Sequence, residues 1–345
     1  MDKDEFIKII SNISKEIRAN KNVNFEYRLG PTKYKIMINK PEPNKGINIA
    51  SIIAIPQGNN TKNEIILESN NLETSNLESL LEQGIQTSMK LANLTNNKPG
   101  VIVVPLIPSY KDSPYFQQLS KECFELPKEN PNYRIDEQVI KIINKAKDIV
   151  KTEKGIDLND KIFLNGYSSS GVFAQRFSLL HPELIEKACI GGASGSIPIP
   201  TKALGYPIGI EDYKSITGKE FDMENYKKIN FKYYVGELET QNKSNTRTDE
   251  KGNPAPMHDM SYFNRSVPKE VGIKQRNKLG IDMLERANNT IAILKNLGLN
   301  IEHIIIKGRA HNNRNGSIGV NEKGDKIINN LYNEPIKEDK EEILR

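Results

Sequence analysis

Ile162-Phe163-Leu164-Asn165-Gly166-Tyr167-Ser168-Ser169-Ser170-Gly171-Val172-Phe173-Ala174 is the stretch that decides how the rest of the chain is read. Lys161–Leu164 has the character of a strand, and Val172–Leu180 that of a helix with Phe173 and Phe177 on one side. The turn joining them is made of Gly, Ser and one Tyr. Such a turn is strained, and small residues two positions either side of its apex let strand and helix approach closely. A serine at the apex sits at a helix N-terminus, where backbone N–H groups can stabilise an oxyanion. Ser168 is therefore a candidate nucleophile. Ser169 is its rival, although it would place Tyr167 where a small residue is needed. The alternative without chemistry is a serine-rich turn that only caps the helix.

Outward from this turn, strands alternate with helices. Upstream, Asp4–Ile17 carries Phe6, Ile9, Ile10, Ile13 and Ile17 at helical spacing. Val23–Arg28 and Tyr34–Ile38 form a hairpin pattern around Gly30-Pro31, and Ile47–Ile55 reads as a strand. Glu64–Leu67 is a short strand, Leu77–Leu94 a long helix, and Val101–Leu106 an apolar run of the buried parallel type. Ile135–Val150 is an amphipathic helix. Downstream come a short strand at Ala188–Ile190, a Gly/Pro-rich stretch and a strand at Phe231–Val235. A long helix at Lys274–Leu297, a strand at Ile301–Ile306 and a closing helix at Asp325–Leu331 follow. This alternation predicts a mostly parallel sheet, covered on both faces and preceded by an antiparallel start.

The 345 residues suffice for one large domain with insertions, and 37% hydrophobic with 27% charged residues describes an ordinary globular chain. Its 49 basic and 44 acidic residues are well mixed, giving a net charge of +5 without a basic, aromatic-laced stripe. Nucleic acid is accordingly not an expected partner. No run approaches the roughly 18 apolar residues of a membrane span, and the acidic start MDKDEFIKII does not read as a secretion signal. The expectation is a cytoplasmic protein without a membrane span. Cys123 and Cys189 are far apart and read as two buried thiols rather than a disulfide framework. Neither a metal-ligand spacing nor a cofactor motif is present, and G-x-G-x-x-G and Walker sequences are both missing, which argues against a nucleotide binder.

The turn resembles the nucleophile elbow, G-x-S-x-G, of the α/β-hydrolase superfamily. Gly166 fills the first glycine position, Ser170 replaces the second, and Gly171 follows, as in esterases of the polyhydroxybutyrate-depolymerase-like type. The resemblance covers about Glu64 to Gly316. It implies the α/β-hydrolase fold, with a mostly parallel central sheet, an antiparallel start and helices on both faces. Residues 1–345 then form a single domain, 1–46 an N-terminal helix and hairpin, and 191–228 and 241–269 lid or cap insertions. Gly191–Pro200 would be a flexible rim over the site.

The resemblance also implies a triad in the order Ser, acid, His. His311 follows the last strand through Gly308-Arg309-Ala310 and is the expected base. His181 reads as a helix terminus and His303 as a strand residue, while His258, in a polar loop, stays open. Glu239 fills the acid slot three residues past Gly236, with Glu237 and Asp249 as rivals. The oxyanion hole would use the N–H of Ser169 and a donor from Asn70 or Asn71, in the loop where relatives carry a His-Gly pair. The competing reading of that loop is an Asn-rich cap for the helix starting near Ser75. Tyr167, Tyr110 and Tyr115 are candidate substrate contacts, and Phe116 reads as core. The implied activity is hydrolysis of a carboxylic ester through an acyl-enzyme on Ser168, needing no cofactor and taking a small-molecule or acyl-ester substrate. Alternatives are a peptidase or amidase on the same scaffold, or a non-catalytic binding protein that retains it.

Overall fold

The computed structural model describes residues 3–29, 32–58, 61–95, 98–110, 113–237, 247–248, 254–255, 265–280 and 283–307. Helix α1 (Lys3–Arg18) leads into strands β1 (Val23–Leu29), β2 (Thr32–Asn39) and β3 (Ala50–Pro56). Then follow β4 (Ile65–Leu67), α2 (Leu77–Leu94), β5 (Val101–Leu106), the short α3 (Glu122–Glu125) and α4 (Ile135–Lys154). The central unit is β6 (Ile162–Tyr167), α5 (Ser169–Leu180) and β7 (Ile185–Gly191). After it come α6 (Tyr213–Thr217), α7 (Met223–Lys228), β8 (Asn230–Gly236), a small ladder of β9 (Arg247–Thr248) with β10 (Pro254–Ala255), α8 (Lys269–Leu279), α9 (Met283–Asn296) and β11 (Ile301–Ile306).

Among the described residues nine strands form one sheet in the order β1-β2-β3-β5-β4-β6-β7-β8-β11. The pairs from β1 to β5 run antiparallel, and every pair from β5 onward is parallel. The expected mostly parallel sheet with an antiparallel start is what the chain forms. Strands β3, β4 and β5 read as near-unbroken apolar runs because both of their faces are covered. Val101 and Val103 of β5 enter a core shared with α4, α5 and α9, whereas Ile102, Val104 and Leu106 enter a second core under α1 and α2. Residues Ile65, Ile66 and Leu67 divide between the two cores in the same alternation.

The order β5-β4-β6 has a consequence for function. The chain leaves β4 through α2 toward β5 on one side, but leaves β6 through α5 toward β7 on the other. The two crossover helices lie on opposite faces, so a crevice opens at the carboxyl ends of β4 and β6, where open α/β sheets bind ligands. The residues following those ends are Glu68–Asn71 and Ser168.

Two expectations change. The long helix at Lys274–Leu297 is instead α8 and α9, because Gly280 ends the first at φ 126. Apolar periodicity continues across the break and hides it. Gly191–Pro200 does not form an exposed rim: residues 191–193 and 195–200 are buried. Buried side chains take the carbonyls of this stretch, Gln175 donating to Ala193 (2.8 Å) and Gln275 and Arg286 both donating to Gly195 (3.1 and 3.0 Å). Cys123 and Cys189 are buried free thiols. No helix among the described residues is long and apolar enough to cross a membrane.

Candidate active site

Ser168 occupies the junction of β6 and α5 with φ 57 and ψ −118, a left-handed backbone state that side chains rarely adopt. Such a conformation costs about 1–3 kcal/mol and persists only where the surroundings impose it. They do so here through a hydrogen bond from the Ser168 N–H to Gly191 O (2.9 Å) and one from Val172 N–H to Ser168 O (2.9 Å). Crowding explains the glycines. A Cβ on Gly166 would lie 2.3 Å from the Ser170 carbonyl oxygen, and one on Gly171 would lie 3.0 Å from both Ala193 Cβ and Gly191 O.

Ser170, in the second glycine position of the motif, has room for its side chain and uses it. Its Oγ accepts from Tyr167 N–H (2.9 Å), and its one proton can go to Tyr167 O (3.0 Å) or Glu68 Oε1 (3.2 Å). The hydroxyl is buried with the carboxylate it meets.

Ser169 opens α5, so its N–H is one of the orphan donors of a helix start. Its Oγ accepts from Gln118 Nε2 (3.0 Å), and Gln118 in turn accepts from Ser266 Oγ (2.6 Å). The loop after β4 lies opposite. Asn70 is fully buried and its amide is spent on the main chain: Oδ1 accepts from Ile107 N–H (2.7 Å), while Nδ2 donates to Ile107 O (3.0 Å) and Leu72 O (3.3 Å). That leaves its backbone N–H, and not its side chain, as a candidate donor. Asn71 divides differently, with Oδ1 accepting from Ser170 N–H (3.1 Å) and its own N–H donating to Gln83 Oε1 (2.8 Å). Among the described residues no backbone acceptor meets the N–H of Ser69 or Asn70. The helix cap is a separate residue, Asn76, whose Oδ1 accepts from Ser79 N–H (3.0 Å). The structure thus joins Asn71, Tyr167, Ser169 and Ser170 around Ser168.

Of the candidate substrate contacts, Tyr167 is buried and stacks on Tyr234 at 6.1 Å, whereas Tyr115 is buried beneath the Arg265 guanidinium at 4.1 Å. Tyr110 is 49% exposed. The expected base His311 and acid Glu239, together with Asp249 and His258, lie outside the described residues. Glu237 is exposed just beyond β8.

The two remaining histidines do other work. His181 Nε2 is 2.9 Å from Asp136 Oδ2, and Arg134 grips the same carboxylate with two bonds (3.0 and 2.8 Å). Burial alone would raise the Asp136 carboxyl, but His181 and Arg134 outweigh it and hold the pKa down at about 2. Burial disfavours the charged form of His181 too, yet Asp136 and Glu183 leave its pKa raised. His303 is pushed down to about 4 by burial, with Lys295 adding to the effect. Among the described residues no group of three or more His, Cys, Asp or Glu could hold a metal ion.

Sequence reasoning missed the carboxylate beneath the turn. Glu68 is 2% exposed and bonded to Lys90, Asn165 and Ser170, residues 22, 97 and 102 positions away. Its one local signal was an acid at the end of an apolar run.

No family model matches the chain, and no curated protein matches it in sequence. Solved structures do. The poly(3-hydroxybutyrate) depolymerase LpqC from Bordetella parapertussis superposes with TM-score 0.52 at 10% identity, over 94% of this chain and 92% of its own. Poly(aspartic acid) hydrolase-1 from Sphingomonas sp. KT-1 gives 0.48 at 15% identity, over 89% and 98%. The carboxylesterase EstE1, cloned from a metagenomic library, gives 0.42 at 10%, over 95% of both chains. At such identities the likeness is one of fold.

Proposed function

We propose that this chain, which has the α/β-hydrolase fold, is a serine hydrolase acting on carboxylic esters. The observation that carries the reading is Ser168, half-buried and held at φ 57 on the β6–α5 turn, at the carboxyl end of β6 where the strand order reverses beside β4. A non-glycine residue in that state is costly, and such strain gathers where it serves a mechanism.

In this reading Ser168 Oγ attacks the ester carbonyl carbon while His311 takes its proton and Glu239 orients the imidazole. The oxyanion accepts hydrogen bonds from the N–H of Ser169 and from an N–H of the β4 loop, at Ser69 or Asn70. His311 returns the proton to the departing alcohol. Water then attacks the acyl-enzyme, using the same base, and frees the acid and Ser168. Residues 201–228 are proposed to cover the acyl side, with Tyr110 and Tyr115 near the rim, while most of the second insertion, 241–269, lies outside the described residues. The same centre would cleave an amide if it protonated an amine leaving group well enough. The poly(3-hydroxybutyrate) depolymerase among the fold neighbours supports the ester as first choice.

The test is hydrolysis of p-nitrophenyl esters from acetate to dodecanoate by wild type and by Ser168→Ala. The expected result is turnover that falls at least about a thousandfold in the variant, with a chain-length optimum that sizes the acyl pocket. Turnover that survives Ser168→Ala, or a folded wild type with no activity on any of these esters or on p-nitroanilide amides, would overturn the reading.

A further inference from the structure

We propose that Glu68 is a positioning residue, and that its buried carboxylate clasps together the two chain segments that form the oxyanion hole. The inference rests on the hydrolase reading above.

Lys90 of α2 reaches both Glu68 oxygens (2.7 and 2.6 Å), Asn165 of β6 donates to Oε2 (2.5 Å), and Ser170 of α5 reaches Oε1 (3.2 Å). Three elements therefore meet on one carboxylate at the end of β4. Burying an ion pair contributes little stability compared with an apolar replacement, so its presence here points to geometry. Through Ser170, Glu68 acts on both sides of the nucleophile: Ser170 Oγ holds Tyr167 N–H, just before Ser168, and Ser170 N–H holds Asn71 Oδ1. From the far side Gln83 Oε1 accepts from Asn71 N–H (2.8 Å) and Leu72 N–H (2.9 Å), so the loop is fixed from α2 and from α5 at once.

The two oxyanion donors come from different segments, the N–H of Ser169 and an N–H of the β4 loop. Their separation is set by whatever ties those segments together, and Glu68 with Ser170 and Asn71 is that tie. Preorganised donors act only if they stand in place before charge develops. Where relatives rely on glycine in the second motif position, Ser170 supplies the hydroxyl through which the carboxylate reaches the turn.

Two variants test this beside Ser168→Ala. Glu68→Leu combined with Lys90→Met removes the clasp without leaving a buried charge alone. Ser170→Ala removes only the hydroxyl link, and it carries the test where the double variant does not fold. The expected result is a fall in kcat of about tenfold to hundredfold with KM within about twofold. Affinity for an arylboronic acid, whose Ser168 adduct places an oxygen in the oxyanion hole, should fall in parallel, which mere loosening of the fold would not produce. Folded variants with unchanged kcat and boronate affinity would overturn the clasp and leave the hydrolase reading standing, provided Ser168→Ala is inactive. If Ser168→Ala is active as well, both fall together.

Discussion

Helix α5 ends in a buried charged cluster on each side, and the two clusters behave differently. At its C-terminus, His181 and Asp136 stand 2.9 Å apart, the spacing of a catalytic acid and base. Yet Arg134 and Glu183 flank the pair, and the helix C-terminus favours a cation. Asp136 and Glu183 raise the pKa of His181, which favours the charged form over a general base, and the residue closes α5 at the end away from the crevice. At the N-terminus the charged pair is Glu68 with Lys90, which holds rather than reacts, and the strain sits on an uncharged serine. A short Asp–His distance identifies an ion pair. Backbone strain at the β4–β6 crevice identifies a candidate site.

The largest separation between the two ends is in activity. Ser168→Ala should remove ester turnover, whereas His181→Gln should leave kcat within about twofold, measured on the same ester at one pH. Should His181→Gln abolish turnover in a folded protein, the assignment of the two ends would be reversed.

Next comes Gly166→Ala. Its Cβ would lie 2.3 Å from a backbone oxygen in the turn, which no side-chain movement relieves. We expect loss of turnover together with destabilisation of roughly 3 kcal/mol or more in urea unfolding. Unchanged activity would mean that the turn tolerates being opened.

At the other end Asp136→Ala should leave Arg134 and His181 buried without their carboxylate. A cost of about 3–5 kcal/mol is expected in urea unfolding, with kcat of the remaining folded protein unchanged. A loss of kcat at full stability would contradict a structural role.

The smallest effect concerns pH. His181 has a folded pKa above its free value of about 6.5, so its stabilisation is complete below that pH and fades as pH rises through the folded value. The stability gap between wild type and His181→Gln, about 1–2 kcal/mol at acid pH, should therefore shrink from pH 6 toward pH 9. Asp136 has the opposite sign. With a folded pKa of about 2, it contributes above its unfolded value of about 3.9 and is lost as pH falls through 2. A gap that widens with rising pH would show that His181 is buried neutral.

Much of this was legible in the residues. Val101–Leu106 and Ile301–Ile306 formed strands at the expected bounds because unbroken apolar runs of that length fit few other states. The β6–α5 turn was legible because steric crowding demands glycine locally, and Gly166 and Gly171 record that demand in neighbouring positions. The Glu68 clasp was not, since Lys90, Asn165 and Ser170 meet it only after the sheet has brought β4 beside β6. The buried stretch after β7 was misread for a related reason: its Gly/Pro composition suggests an open loop, but Gln175, Gln275 and Arg286 reach its carbonyls from distant helices.

The central claim is that the strained serine at the head of α5 is the nucleophile, and peptide mapping of wild-type protein after reaction with a fluorophosphonate tests it most directly. The account predicts one phosphonyl group per chain, on Ser168. An adduct on Ser169 or elsewhere, or a folded protein that takes up none, would contradict it.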